Sequence, residues 1–467
     1  MWDQVIVFGY LAVLVIVGLR GGGKIKNAAD FTATGKRCGT AVVFATLSAS
    51  FIGGGYSSGN AAAAYESGIG TALALFGFGI GMILIGKFLV PGVARFPHAK
   101  TVGGILGNVY GSRARFVTGL FSFLCCAGVV GAQMESIGLV FHTLLGVPKT
   151  AGIIIGCSVV LLYTTFGGME SVLTADMIQF FLLALGMPLL LLIAVIAGGG
   201  PAATWRAIPA ELLDPLNQTT LPAFLSLFLS MMCGEALAPP YMQRLLIGKT
   251  PRETARGTML SGAFSLPFFL VTAGVGLSAR ALGIEGDPAT VMPDLILRIL
   301  PIGLRGLLMA AMVSIILSAA DGFLNGAAVS LVCDTILPRR PMADRAQLHC
   351  LRTVNLLTGL AAMALAFLVP NVFSILLLAY SFWSPALLIP LAAALLGVRA
   401  DERTFFRALI SGVSVCLLWN HVLCRPLGID GTAVGTLANF VVFTISHFVT
   451  EKPLDKAPKA VYSPLKE

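Results

Sequence analysis

Long apolar runs alternate along the chain with short polar segments rich in glycine, proline or basic residues, and the pattern places about thirteen membrane helices. They fall near residues 4–20, 40–64, 70–94, 115–145, 150–166, 172–199, 222–243, 257–279, 302–336, 351–369, 372–397, 405–423 and 431–449. Two of these runs are interrupted. The second carries Gly53, Gly54, Gly55 and Gly59 at mid-depth, and the seventh carries Gly234, Pro239 and Pro240. Glycine weakens helix continuity and proline removes a backbone donor, so both runs predict a break. Unwound backbone at membrane depth persists only where it is buried in protein or lines a cavity. The first broken run crosses from inside to outside and the second from outside to inside. Breaks at corresponding positions of two oppositely oriented halves are the pattern of an inverted-repeat transporter. The expected architecture is an all-α polytopic membrane protein: an extra N-terminal helix and loop at 1–38, five-helix repeats at 39–200 and 201–398, and two extra helices with a tail at 399–467.

Composition agrees, since 57% hydrophobic and 11% charged residues with a mean hydropathy of +0.89 exclude a soluble globular protein. The net charge of +9 is topological. With the N-terminus outside and an odd number of spans, most Lys and Arg, Arg244 among them, fall on the cytoplasmic side. That distribution leaves no nucleic-acid patch and predicts a plasma (inner) membrane protein with a cytoplasmic C-terminus. The opening run has no basic segment before it and no small-residue cleavage site, so it reads as a retained span. The nine cysteines show no C-x-x-C pair and the histidines no metal spacing. Neither HExxH nor GxSxG occurs, and no enzyme activity is expected.

The run from Met309 to Ile336 carries Ser314, Ser318, Asp321 and Asn325 at i, i+4, i+7 and i+11, one polar stripe on an otherwise apolar helix. An acid at membrane depth is costly and marks a candidate functional site. Asp321 is read three ways: a carboxylate ligand of a cation, a proton carrier, or a structural hydrogen-bond partner. Asp176 lies near the start of its span, where a helix dipole favours an acid, or lines a cation's cytoplasmic path. Glu66, Glu135 and Glu235 stand on the first broken span, the fourth span and the second broken span. Three acids around one cavity suit a small polar organic solute that is cationic or hydroxyl-rich. Tyr56, Tyr380 and Trp383 are candidate walls or gates, against ordinary packing roles.

Several stretches occur in an order that resembles the sodium:solute symporter family: DFTATGKR, SASFIGGGYSSGNAAAAYESG, KTVGGILGNVYGSRAR, YTTFGGMESVLTADMIQ, YMQRLLIGKTPRETARG and SAADGFLN. The resemblance implies a LeuT-like five-plus-five core and alternating-access uptake of a small solute with Na⁺, with no cofactor beyond the coupling ion, Na⁺ or H⁺. It further implies a Na⁺ site between the unwound backbone of the first broken helix, with Val43 and Thr46, and two adjacent hydroxyl positions that fall on Ser318 and Ala319. Ala319 lacks the hydroxyl. Asp321 is the residue expected to compensate, or to replace Na⁺ with H⁺; in some relatives its position is a serine in a second cation site, with the acid matched by Asp176. The implied solute site comprises Ser50, Gly54, Tyr56, Gln133, Glu135, Glu235 and Glu66. Proton-coupled symport is the alternative, with a sensor or channel on the same fold behind it.

Overall fold

The computed structural model describes residues 2–23, 25–32, 38–368 and 383–450, and these are helical throughout apart from loops and one isolated bridge between Cys38 and Gly248. The first half of the chain contributes α1 (Trp2–Gly22), α2 (Thr40–Phe51), α3 (Asn60–Ser67), α4 (Gly70–Leu84), α5 (Ser112–Leu145) and α6 (Lys149–Ala197). The second contributes α7 (Leu221–Gly234), α8 (Pro239–Leu246), α9 (Pro251–Ala281), α10 (Leu304–Ser330), α11 (Asp344–Leu368), α12 (Ser384–Leu396), α13 (Glu402–Leu417) and α14 (Gly431–Thr450). Among the described residues nine helices are long and apolar enough to cross a membrane, and α7 with α8 makes a further span bent by 48°. The runs expected at 150–166 and 172–199 are the two arms of α6, joined at Gly168 (φ 49°, ψ −145°). The run expected at 372–397 begins outside the described residues.

Gly168 is a point where the fold depends on a missing side chain. Its positive φ disfavours any L-residue, and a Cβ there would lie 2.9 Å from the Phe31 carbonyl oxygen and 3.0 Å from the Phe31 Cα. Neither backbone atom can swing aside. Gly168→Ala is expected to cost about 2 kcal/mol or more, seen as a lower thermal midpoint of the detergent-purified protein.

The element at the centre is α10. Every residue from Leu308 to Ser330 is buried, with α5 and α6 as its main neighbours and α1 against a further side. A helix with an acid and a polar stripe at membrane depth must turn them away from lipid, which is what its sequence requires. In contrast, α1 exposes Trp2, Val5, Phe8, Val13, Ile16 and Leu19, the face that meets lipid. Its Asp3 accepts from the Gly303 and Gly306 amides at 2.8 and 3.0 Å and pairs with Arg305 at 2.7 Å. An acid at a helix N-terminus satisfies orphan amides and complements the dipole, so this contact fixes α1 to the start of α10.

Candidate functional site

The first break follows Phe51. The Gly53 amide turns to the Phe51 carbonyl at 2.9 Å and the Gly54 amide to Gln133 Oε1 at 3.4 Å. The carbonyls of Ala49 and Ser50 thereby lose the donors a continuing helix would give them. The chain resumes as a π-turn at Gly55–Gly59, where Ser57 and Ser58 donate back to the Gly53 and Gly54 carbonyls at 2.8 and 2.9 Å. A Cβ on Gly53 would approach Ala319 Cβ to 2.9 Å, so α10 rests directly on this break. The hydroxyls of Thr46 and Ser48 are buried without hydrogen-bond partners, and the buried Ser50 hydroxyl stands beside the Asp176 carboxylate. Val43 and Thr46 lie earlier, inside continuous α2, and Val43 packs where a side chain on Gly257 would stand. The released backbone oxygens are those of Ala49 and Ser50 instead.

The second break follows Gly234. The amides of Glu235 and Ala236 both turn to the Cys233 carbonyl, which releases the carbonyls of Met231 and Met232. Leu237 then takes φ +59°, a left-handed conformation held by its surroundings, and the Trp383 indole donates to the Ala236 carbonyl at 3.0 Å. Buried Glu235 accepts from the Tyr241 hydroxyl at 2.6 Å, with Tyr56 and Cys125 close to it. The Tyr56 ring lies against Phe78 and Phe269 at centroid distances of 5.3 and 5.5 Å. Tyr380 lies outside the described residues.

The expectation of three acids around one cavity is corrected. Glu66 is exposed at the end of α3. Glu135 pairs with Lys149 at 3.1 Å, because it stands two residues, about 200° around α5, from the Gln133 that meets the break. Glu235 alone of the three enters the buried site.

A third cluster joins α6, α8 and α10. Arg244, assigned above to the cytoplasmic loops, is fully buried, and this is a second correction. Its guanidinium donates to Asp176 Oδ2 at 2.7 and 3.3 Å and to the Pro240 carbonyl at 3.0 Å. Ser318 donates to Asp176 Oδ1 at 2.8 Å. Gly322 makes room for the guanidinium, since a Cβ there would lie 3.0 Å from a terminal nitrogen. Asp176 is thus an ion-pair partner about two turns past the Gly168 kink rather than a helix-start acid.

Asp321 receives the Tyr163 hydroxyl on Oδ2 at 2.6 Å, and its Oδ1 has no hydrogen-bond partner. It lies about 200° around α10 from Ala319, toward α6 rather than toward the break. Asp321 therefore does not take the place of the hydroxyl that Ala319 lacks. Ser314 and Asn325 on the same stripe are buried, and Ser314 and Gln179 stand beside the buried Tyr10 hydroxyl, which continues the polar track. Sequence reasoning passed over Arg244, Tyr163, Tyr241, Gln179 and Tyr10. The signal for Arg244 was there: a buried acid on one span requires a partner on another.

Comparison with known proteins follows the same lines. The sodium:solute symporter family matches residues 31–412. The chain is 25% identical over 442 residues to the sodium/pantothenate symporter of Escherichia coli, covering 89% of each protein. It is 25% identical to the high affinity choline transporter 1 of Homo sapiens, covering 79% of this chain and 68% of that one. The substrate-bound outward-open structure of a Na⁺-coupled sialic acid symporter superposes with a TM-score of 0.88 at 17% identity, over 97% and 98% of the two chains, and shares the fold.

Proposed function

The chain belongs to the sodium:solute symporter family, and on that premise we propose that Na⁺ sits where the α2 break meets α10, with the solute between the two breaks against Gln133 and Glu235. The protein is a multi-pass membrane transporter, not an enzyme, and its activity is Na⁺-coupled symport of a small solute. These relatives favour Na⁺ over the proton alternative. The observation that carries the site is the pair of released carbonyls on Ala49 and Ser50, beside the Ser50 hydroxyl and under α10. Na⁺ is a hard cation that exchanges its water for several oxygens, and backbone carbonyls at a broken helix supply them without a charge. The halves 39–200 and 201–398 rock about this centre, from a plasma membrane with the N-terminus outside, and no cofactor takes part besides the ion. Ser318 joins the ion's shell, while Asp176 and Asp321 act on it through charge; Gly54 and Tyr56 stand on the solute side, and Ser50 lies between ion and solute. One Na⁺ entering through 100 mV and down a tenfold gradient releases about 3.7 kcal/mol, which concentrates a neutral solute roughly 500-fold.

The test has two arms. Na⁺ added to the purified protein is expected to raise its thermal midpoint by mass action, with K⁺ as the inert control. In proteoliposomes, solute found by a thermal-shift screen is expected to accumulate only under an inward Na⁺ gradient. Uptake indifferent to that gradient rejects the assignment.

A further inference from the structure

We propose that the second break is built for a cationic head: a primary or quaternary ammonium group on the solute, seated against Glu235, in preference to a carboxylate or an uncharged polyol. The inference rests on the reading that the solute lies at the two breaks. Its first support is the end of α7, a helix C-terminus with the Met231 and Met232 carbonyls released from helical bonding. Such an end is already electronegative, and an acid placed there adds to that potential instead of offsetting it. Glu235 occupies that position and is buried.

The second support is what the facing helix lacks. A helix N-terminus usually holds an anion through its first amides. Here α8 begins with Pro239 and Pro240, which have no N–H, and the Ala238 amide is used on the Glu235 carbonyl at 3.0 Å. Of the four amides that an N-terminus offers, that of Tyr241 is left. Arg244, further along α8, is turned to Asp176 and the Pro240 carbonyl. At the first break, Gln133 accepts from the Gly54 amide through Oε1, which leaves a neutral NH2 and no positive charge for an anion. A carboxylate solute finds neither helix dipole nor guanidinium, whereas an ammonium group finds Glu235 at the electronegative end of α7. Tyr56 stands close to Glu235, Tyr241 bonds it, and Trp383 is anchored on the neighbouring carbonyl, so that aromatic residues surround the carboxylate.

The experiment uses the full-length purified protein in Na⁺ or K⁺ buffer and three probe sets of similar size: tetramethylammonium and ethanolammonium, glycerol and erythritol, propionate and lactate. The ammonium set is expected to raise the thermal midpoint in Na⁺ at concentrations at least tenfold below those of the other sets. Glu235→Gln is expected to raise that concentration at least tenfold while the shift given by Na⁺ alone persists. An ammonium set without a shift overturns the proposal whatever the other sets do, as does a shift that Glu235→Gln leaves unchanged. The probe series on the parent protein decides even where the variant does not fold. Failure of the underlying symport reading looks different, because Na⁺ alone then gives no shift.

Discussion

Arg244→Met is expected to unfold at a markedly lower temperature than the parent, with a loss of about 3–5 kcal/mol, while the double variant Asp176→Asn/Arg244→Met recovers most of it. The Arg244 and Asp176 side chains are both fully buried, and their closest contact is 2.7 Å. Removing the guanidinium leaves a carboxylate in a dry interior with only neutral hydroxyls, those of Ser318 and Ser50, beside it among the described contacts. The cost is that of an uncompensated buried charge, so neutralising the partner restores what a new cavity or lost packing would not. Methionine is chosen because its length fills the space against Gly322. Thermal midpoints of the detergent-purified parent and both variants check this. Equal losses in the single and double variants would mean that packing, and not the ion pair, sets the stability. A functional effect is expected as well, because the pair ties α8, just past the second break, to α6 and α10.

Much of the fold was legible because the bilayer imposes one rule, that backbone polar groups be satisfied within each span. Apolar runs therefore read as helices, and the Gly53–Gly59 and Gly234–Pro240 interruptions read as breaks, where the structure indeed bends or unwinds. The symporter family was legible in the order of its motifs. Side-chain direction was less legible. Glu135 and Gln133 are two residues apart in sequence yet about 200° apart on the helix, and so are Asp321 and Ala319. Which side of such a pair faces the cavity depends on how the helices are rotated, and α10, enclosed on every face, has a neighbour for each side. Arg244 was misplaced for a related reason. Hydropathy reads a cation at the end of a run as a loop residue, although a partner on another span had drawn it inside.

Asp321→Asn is expected to separate stability from function. Asp176, Arg244 and Asp321 are all fully buried, and with both acids ionised they carry one more negative charge than positive. Asparagine keeps the shape of Asp321 and can still accept the Tyr163 hydroxyl, so the substitution removes the excess charge and little else. A dry interior penalises that charge by several kcal/mol unless a cation accompanies it. In Na⁺-free buffer the variant is therefore expected to melt at or above the parent's midpoint. The rise in midpoint on adding Na⁺ is expected to vanish, because the ion no longer has the negative field that draws it to the Ala49–Ser50 oxygens. Accumulation in proteoliposomes then falls from the roughly 500-fold allowed by one Na⁺ to near unity. Because Asp321 faces Tyr163 and not Ala319, adding a hydroxyl by Ala319→Ser is not expected to rescue the loss. Asp321→Asn protein that still accumulates solute under a Na⁺ gradient reduces Asp321 to a hydrogen-bond partner of Tyr163. Parent protein that accumulates solute under a pH gradient without Na⁺ returns the carboxylate to the role of proton carrier.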